Sequence, residues 1–360
     1  MRTVREAVTI GLMLATASVW GTGVSPSAAG SPSVRANGPA VAVLPLVDFS
    51  GVPDATDSVF SSLVKALSGH GVNLIPPETL RPVMRKHRIR AVGMIDQTAA
   101  KVISEETGAS YLLLGSTDFI SDQSEPIGGM SLRLLRIPEC RLVWATSAGA
   151  SGGQYIGLLG LGAVSRVDSL TARLADEAAD DVAALVGDGS QELKDAPAPT
   201  IAIVPFDDLD PDRPIGAVAS AYLLSYLVER GMHVVEPGLV QALFLQFGRM
   251  PRGEIDYELI GALRDSLGVD LVLTGTVNGF TANVDDAGQA AADISLSARM
   301  IDARSGEIIG ATNVSEEARA GQGLLYFRSG PVAARLMSRA AEEVTRRLGV
   351  LRQEGIVGGK

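Results

Sequence analysis

The chain has 360 residues, 46% hydrophobic and 20% charged, enough apolar material for two ordinary cores and too much for a disordered chain. Its 31 basic residues face 41 acidic ones, a net charge of −10 with no dense Lys/Arg patch, which argues against a nucleic-acid partner. Aromatic residues make up 4%, leaving few platforms on which sugars or bases could stack.

At the N-terminus, Arg2 and Arg5 precede an uncharged stretch from Ala7 to Val34 with an apolar centre and the small-residue exit "SPSAAG". That order reads as a secretory signal peptide over residues 1–29, with the mature chain beginning near Gly30 in the periplasm or outside the cell. A retained anchor over Ala7–Val24 is the alternative, disfavoured by its Thr, Ser and Gly content. No cysteine stands at the exit to carry a lipid. The single Cys140 can form no internal disulfide and reads as a half-buried small hydrophobe.

Beyond the leader the chain writes one pattern twice. "VAVLPLVDFSG" begins at Val41 and "IAIVPFDDLDP" at Ile201, and an offset of 160 places Pro45 on Pro205, Gly71 on Gly231, Gly108 on Gly268 and Gly115 on Gly275. Each copy starts with a short apolar strand, Val41–Leu44 or Ile201–Val204, closed by Pro. A helix follows, marked by Phe60, Leu63, Val64 and Leu67 or by Leu223, Leu224 and Leu227. A second strand is expected at Val72–Ile75 and Met232–Val235, then two helices, then a buried strand at Tyr111–Leu114 and Leu271–Leu273. A hairpin comes next, Met130–Ile137 with Arg141–Thr146 and Ile294–Ile301 with Glu307–Thr312, the second copy carrying two extra residues in its turn. A final helix closes each copy. The expected fold is α/β: two tandem copies of a mixed-sheet βαβααβββα domain, 38–188 and 199–352, joined by a linker at 189–198 rich in Gly, Pro and charge. Helices are expected on one face of each sheet, and the alternation of Ser131, Arg133, Ser295 and Ser297 with apolar residues predicts a wet opposite face.

Taken in order, "IAIVPF", "VVEPGLVQAL", "GVDLVLTGTV" and "ISLSARMIDARSGEII" resemble the curli secretion-channel (CsgG) family and the bacterial envelope domains related to the N-terminal domain of TolB. The resemblance covers nearly all of the second copy and, more loosely, the first. It implies a periplasmic domain of this fold that works through protein–protein contacts and without catalysis; no cofactor is expected. The channel-forming relatives carry a lipidated cysteine and long membrane-crossing hairpins. A crossing hairpin needs two strands of about 9–11 residues and a turn. The connections here, 118–129, 280–291, 149–166 and 315–330, are shorter than that, so a pore subunit is the weaker alternative.

Chemistry is sparse. "GASGG" at Gly149–Gly153 fits the G-x-S-x-G pattern, making Ser151 a candidate hydrolase nucleophile, but no helix-forming run follows and the only later histidine is His233. Asp208, Asp210 and Asp212 alternate as in a calcium loop but lack its Gly and Glu, so helix-dipole complementation is the simpler role. His70, His87 and His233 are scattered and make no zinc set, and "GLLGLG" lacks the strand–turn–helix frame of a phosphate cradle. The candidate interaction residues are Tyr155, Leu158 and Leu159 in the connection at 149–166, and Leu324, Leu325, Tyr326 and Phe327 in its counterpart at 315–330. The resulting expectation is an exported envelope scaffold or secretion accessory whose partners are envelope or secreted proteins, or a second copy. Contact with membrane is peripheral at most.

Overall fold

The computed structural model describes residues 38–52, 54–90, 93–122, 126–152, 164–187, 198–209, 214–251, 253–284, 290–319 and 332–350. All belong to one compact unit, Arg35–Lys360. It is mixed α/β and holds two mixed sheets, of five and six strands, whose elements follow the same order apart from one extra short strand in the second.

The first half opens with β1 (Val41–Val43) and β2 (Val47–Asp48), both parallel to β3 (Tyr111–Ser121). Pro45 separates them because it has no N–H to give the ladder. Between β2 and β3 run α1 (Ala55–Gly69), α2 (Pro77–Lys86) and α3 (Gln97–Thr107). β4 (Ile127–Arg136) and β5 (Arg141–Ser151) then extend the sheet antiparallel, and α4 (Val167–Gly187) closes the half. The second half repeats this with β6 (Thr200–Ile203), β7 (Asp207–Asp208), α5 (Ile215–Glu229), β8 (His233–Val234), α6 (Pro237–Gln246), α7 (Tyr257–Leu267), β9 (Leu271–Val284), β10 (Ala290–Asp302), β11 (Ile308–Arg319) and α8 (Val332–Leu348). The sheet orders are β1-β3-β4-β5, with β2 beside β3, and β11-β10-β9-β6-β8, with β7 beside β9.

Local signals match across the halves. The Asp96 side chain accepts from the Ala99 N–H at 2.7 Å to start α3, and Asp256 accepts from the Leu259 N–H at 2.9 Å to start α7. Gly108 at φ 74° and Gly268 at φ 64° end the same two helices in the left-handed region, where a side chain is costly.

Four expectations are corrected. The strand expected at Val72–Ile75 shrinks to a single bridge, Val41 to Leu74, because Pro76 and Pro77 follow at once and supply no N–H. Helices lie on both faces of the parallel strands in each sheet. Val41 and Val43 point toward α1 and α4, Ala42 and Leu44 toward α2 and α3, and all four are buried. A continuous apolar strand means two covered faces. The hairpin strands also run further than expected. β3 and β4 leave only 122–126 between them, and β9 and β10 only 285–289, while β5 and β11 absorb residues up to Ser151 and Arg319. Finally, Leu114 stands opposite Arg133, and Thr274 opposite Arg299. The offset thus grows from 160 to 166 at the tip of the β9–β10 hairpin, and the turn before β11 holds no extra residues.

The packing order explains where polar groups lie. α5 and α8 cover the core face of the second sheet, and α5 also lies on β5 and β4 of the first. The apolar residues of α5 follow from this double duty. Val218, Tyr222, Leu223, Leu224 and Leu227 are all buried around its circumference. At the neighbouring junction the start of α6 meets the first half so closely that a Cβ on Gly238 would sit 2.1 Å from the Ile95 carbonyl oxygen. Gly238→Ala should therefore force backbone apart and lower thermal stability by several degrees, measurable by differential scanning fluorimetry.

Candidate functional site

The densest polar chemistry in the described residues lies in the seam between the two halves. Arg133, on β4, sends Nε to Glu236 Oε2 at 2.7 Å and an Nη to Oε1 at 2.8 Å, a bidentate pair. The same guanidinium donates to the Gly93 carbonyl. The Glu236 side chain is wholly buried and that of Arg133 is 12% exposed. Glu236 also accepts from the Gly238 N–H at 3.3 Å, so one carboxylate starts α6 and ties it to the first sheet.

Beside this pair sits a hydroxyl–carboxylate cluster. Asp118 is the extra residue in a β-bulge of β3, where Thr117 and Phe119 face consecutive partners on β4. It accepts from Ser116 and Ser131, both at 2.6 Å. Ser131 contacts Ser147 at 2.8 Å, and Ser147 contacts Ser225 of α5 at 2.8 Å, carrying the chain of hydroxyls across the seam. Burial pushes the Asp118 carboxyl up to about 6, although both serine hydrogen bonds pull the other way. Tyr222 is buried against the cluster, with no hydrogen-bond partner for its hydroxyl among the described residues. Burial, and then the charge of Asp118, raise its pKa. Phe119 stacks on Phe280 with centroids 6.1 Å apart, a further contact across the seam. Tyr222→Phe should be neutral or stabilising by about 0–1 kcal/mol in urea denaturation, since it removes a buried hydroxyl with nothing to bond.

The wet hairpin face expected from Ser131, Arg133, Ser295 and Ser297 thus exists in one half only. Ser131 is buried by the second half, whereas Ser295 and Ser297 are half-buried and Arg299 is exposed. Around Arg299 lies a shallow depression lined by Thr276, Ser297, Ala311 and Asn313. Sequence reasoning missed the seam because it treated each copy as self-sufficient. The available signal was the stretch "AVASAYLLSYLV", apolar on every side and so too hydrophobic for a surface helix.

The candidate interaction residues Tyr155, Leu158, Leu159, Leu324, Leu325, Tyr326 and Phe327 lie outside the described residues, as do Asp210, Asp212 and the leader. Ser151 is the last residue of β5, paired in register with Ile127 and 7% exposed. The next N–H, of Gly152, bonds the Pro126 carbonyl at 2.9 Å, so the serine lies in a ladder and not on a sharp strand-to-helix turn. Gly149–Ser151, expected in a loop, are strand. Asp208 accepts from the Gly216 N–H at 2.6 Å and so takes one free donor of the first turn of α5. His70 bonds Asp176 at 2.9 Å and His87 bonds Glu106 at 2.6 Å, in separate places. Among the described residues no group of three or more His, Cys, Asp or Glu could hold a metal ion. Cys140, expected half-buried, is 3% exposed, and burial together with the charge of Glu236 pushes its thiol up to about 12. It should resist iodoacetamide in the native protein and react only on unfolding. The large exposed apolar side chains include Leu245, Phe247 and Met250 around the end of α6. Among the described residues no helix is long and apolar enough to cross a membrane.

No family model and no curated protein matches the chain. Among solved structures it is similar to the lipoprotein GNA1162 from Neisseria meningitidis, with 22% identity, 42% of this chain and 98% of that one covered, and a TM-score of 0.29. It is also similar to the PelC dodecamer from Paraburkholderia phytofirmans, with 19% identity, 42% and 93% covered, and a TM-score of 0.27. A third is the LpoB C-terminal domain from Salmonella enterica, with 13% identity, 33% and 82% covered, and a TM-score of 0.24.

Proposed function

We propose that this protein is a non-catalytic envelope scaffold, exported by its leader, that holds two copies of one CsgG/TolB-N-like domain in a fixed relation and works through protein–protein contacts. The copies span 38–188 and 199–352. The observation that carries this reading is the seam. A buried ion pair and a chain of buried hydroxyls tie one half to the other, which suits a part that must present distant surfaces rigidly. Its partners on this reading are envelope or secreted proteins.

A fluorophosphonate probe tests the non-catalytic reading. The purified protein should remain unlabelled, and labelling that disappears in Ser151→Ala would establish the hydrolase instead. Conductance in a planar bilayer would establish the pore subunit. Export is tested by N-terminal sequencing of protein from the cell envelope: a start near Gly30 is expected, and an intact Met1 contradicts it.

A further inference from the structure

The chain is acidic as a whole, but one stretch departs from that balance and corrects the expectation that no dense Lys/Arg patch occurs. Residues 81–90, "RPVMRKHRIR", carry five Lys/Arg and His87, with no Asp or Glu among them. They form the end of α2 and the turn after it, and Arg81, Arg85, Lys86, Arg88 and Arg90 are all exposed. Glu106 of α3 accepts from Lys86 at 2.8 Å and lies 2.6 Å from His87. The side chains of the four arginines have no hydrogen-bond or ion-pair partner among the described residues.

The fold does not require this charge. At the offset of 160 the end of α6 has Gln241, Leu245, Gln246, Gly248 and Met250 in the same places, and it forms the same helix and turn. Arg88 stands at φ 54° where Gly248 stands at φ 65°, so a cation is kept in a left-handed conformation that favours glycine. Charge that folding does not need, held exposed and unpaired, points to an anionic partner outside the chain.

The surroundings narrow the kind of anion. Arg81 and Arg85 share one side of α2, Lys86 lies about 100° further round, and Arg88 and Arg90 follow beyond the helix, so the cations ring a helix end and line no track. No aromatic residue occurs between Pro77 and Asp96 to stack a base or a sugar. Ile89 packs against the core, and none of the large exposed apolar side chains lies in this stretch. The buried anchors that dominate protein–protein interfaces are therefore missing. We propose that the end of α2 is a membrane-surface contact that docks on a layer of anionic phospholipid headgroups. Headgroups move laterally to meet cations that hold no fixed geometry, which a folded acidic partner does not. The acidic remainder of the chain is repelled by the same layer, so this end turns toward it. The export reading supplies the compartment in which lipid is met, but the patch stands without it.

Co-sedimentation of the purified chain with vesicles tests the proposal. The chain should partition into phosphatidylglycerol vesicles in preference to phosphatidylcholine vesicles, and high salt should remove that preference. Each cation removed should weaken binding about fivefold, so Arg85→Gln, Arg88→Gln and Arg90→Gln together should weaken it about a hundredfold. The same loss of charge elsewhere, by Arg299→Gln, Arg304→Gln and Arg319→Gln, should leave binding close to that of the parent, and both triple variants should keep the parent's melting temperature. Equal partition into both kinds of vesicle overturns the proposal, as does an α2 triple variant that binds like the parent. Tighter binding to polyglutamate than to the vesicles, at matched charge concentration, would assign the patch to an acidic protein and overturns it too. N-terminal sequencing reads export and the vesicle assay reads the patch, so the two readings fail separately.

Discussion

Arg133→Ala is expected to destabilise the folded chain by about 3–5 kcal/mol, on the order of 10 °C in melting temperature, the largest effect of any single side chain in the seam. The reason is asymmetry. Glu236 is wholly buried, and the arginine supplies two of its hydrogen bonds at 2.7 and 2.8 Å. Without it a carboxylate stays in the interior with only the Gly238 N–H at 3.3 Å. Glu236→Ala removes the opposite charge, but Arg133 is partly exposed and keeps the Gly93 carbonyl, so its cost should be smaller. Replacing both residues by Met and Leu should recover much of the loss, because burying a charge pair is itself expensive. A double-mutant cycle in urea separates the coupling from the desolvation cost. Equal, small effects for both single variants would mean that the pair is solvated and does not tie the halves together.

Asp118→Asn is expected to stabilise the protein by about 1–3 kcal/mol at pH 7 and to flatten its pH dependence between about pH 4 and 6. The carboxyl is raised by burial from an ordinary value of 3.8 to about 6. An acid with a higher pKa in the folded than in the unfolded chain holds its proton more tightly when folded. Its ionisation therefore removes stability as pH climbs through that window, and stability is greatest below it. Asparagine keeps the shape and can bond Ser116 and Ser131 without a charge. Urea midpoints of parent and variant should converge near pH 4 and separate to a constant difference above about pH 6. A difference independent of pH would mean that Asp118 titrates as an exposed acid does.

Both effects come from the contact between the halves, and this is where the sequence was least legible. Strands and helices were visible in local signals: Pro45 and Pro205 after apolar runs, Asp96 and Asp256 as caps, Gly108 and Gly268 as stops. Strand ends were not, because "DFIS" and "NGFTANV" continue the ladders past the point where apolar alternation fades, held by backbone bonds that any residue can make. The face bearing Ser131 and Arg133 was misread because its polar residues face neither water nor core but another half of the chain. Periodicity reports that a residue is polar, not what lies opposite. The same pattern at Ser295 and Ser297 stays partly open to solvent, with Arg299 exposed beside it.

The seam joins the two halves into one cooperative body, and differential scanning calorimetry of the purified chain tests this most directly. A single transition is expected, with calorimetric and van't Hoff enthalpies in agreement, and Arg133→Ala should split it into two as the halves uncouple. Two separate transitions in the parent protein, each unmoved by Arg133→Ala, would contradict it.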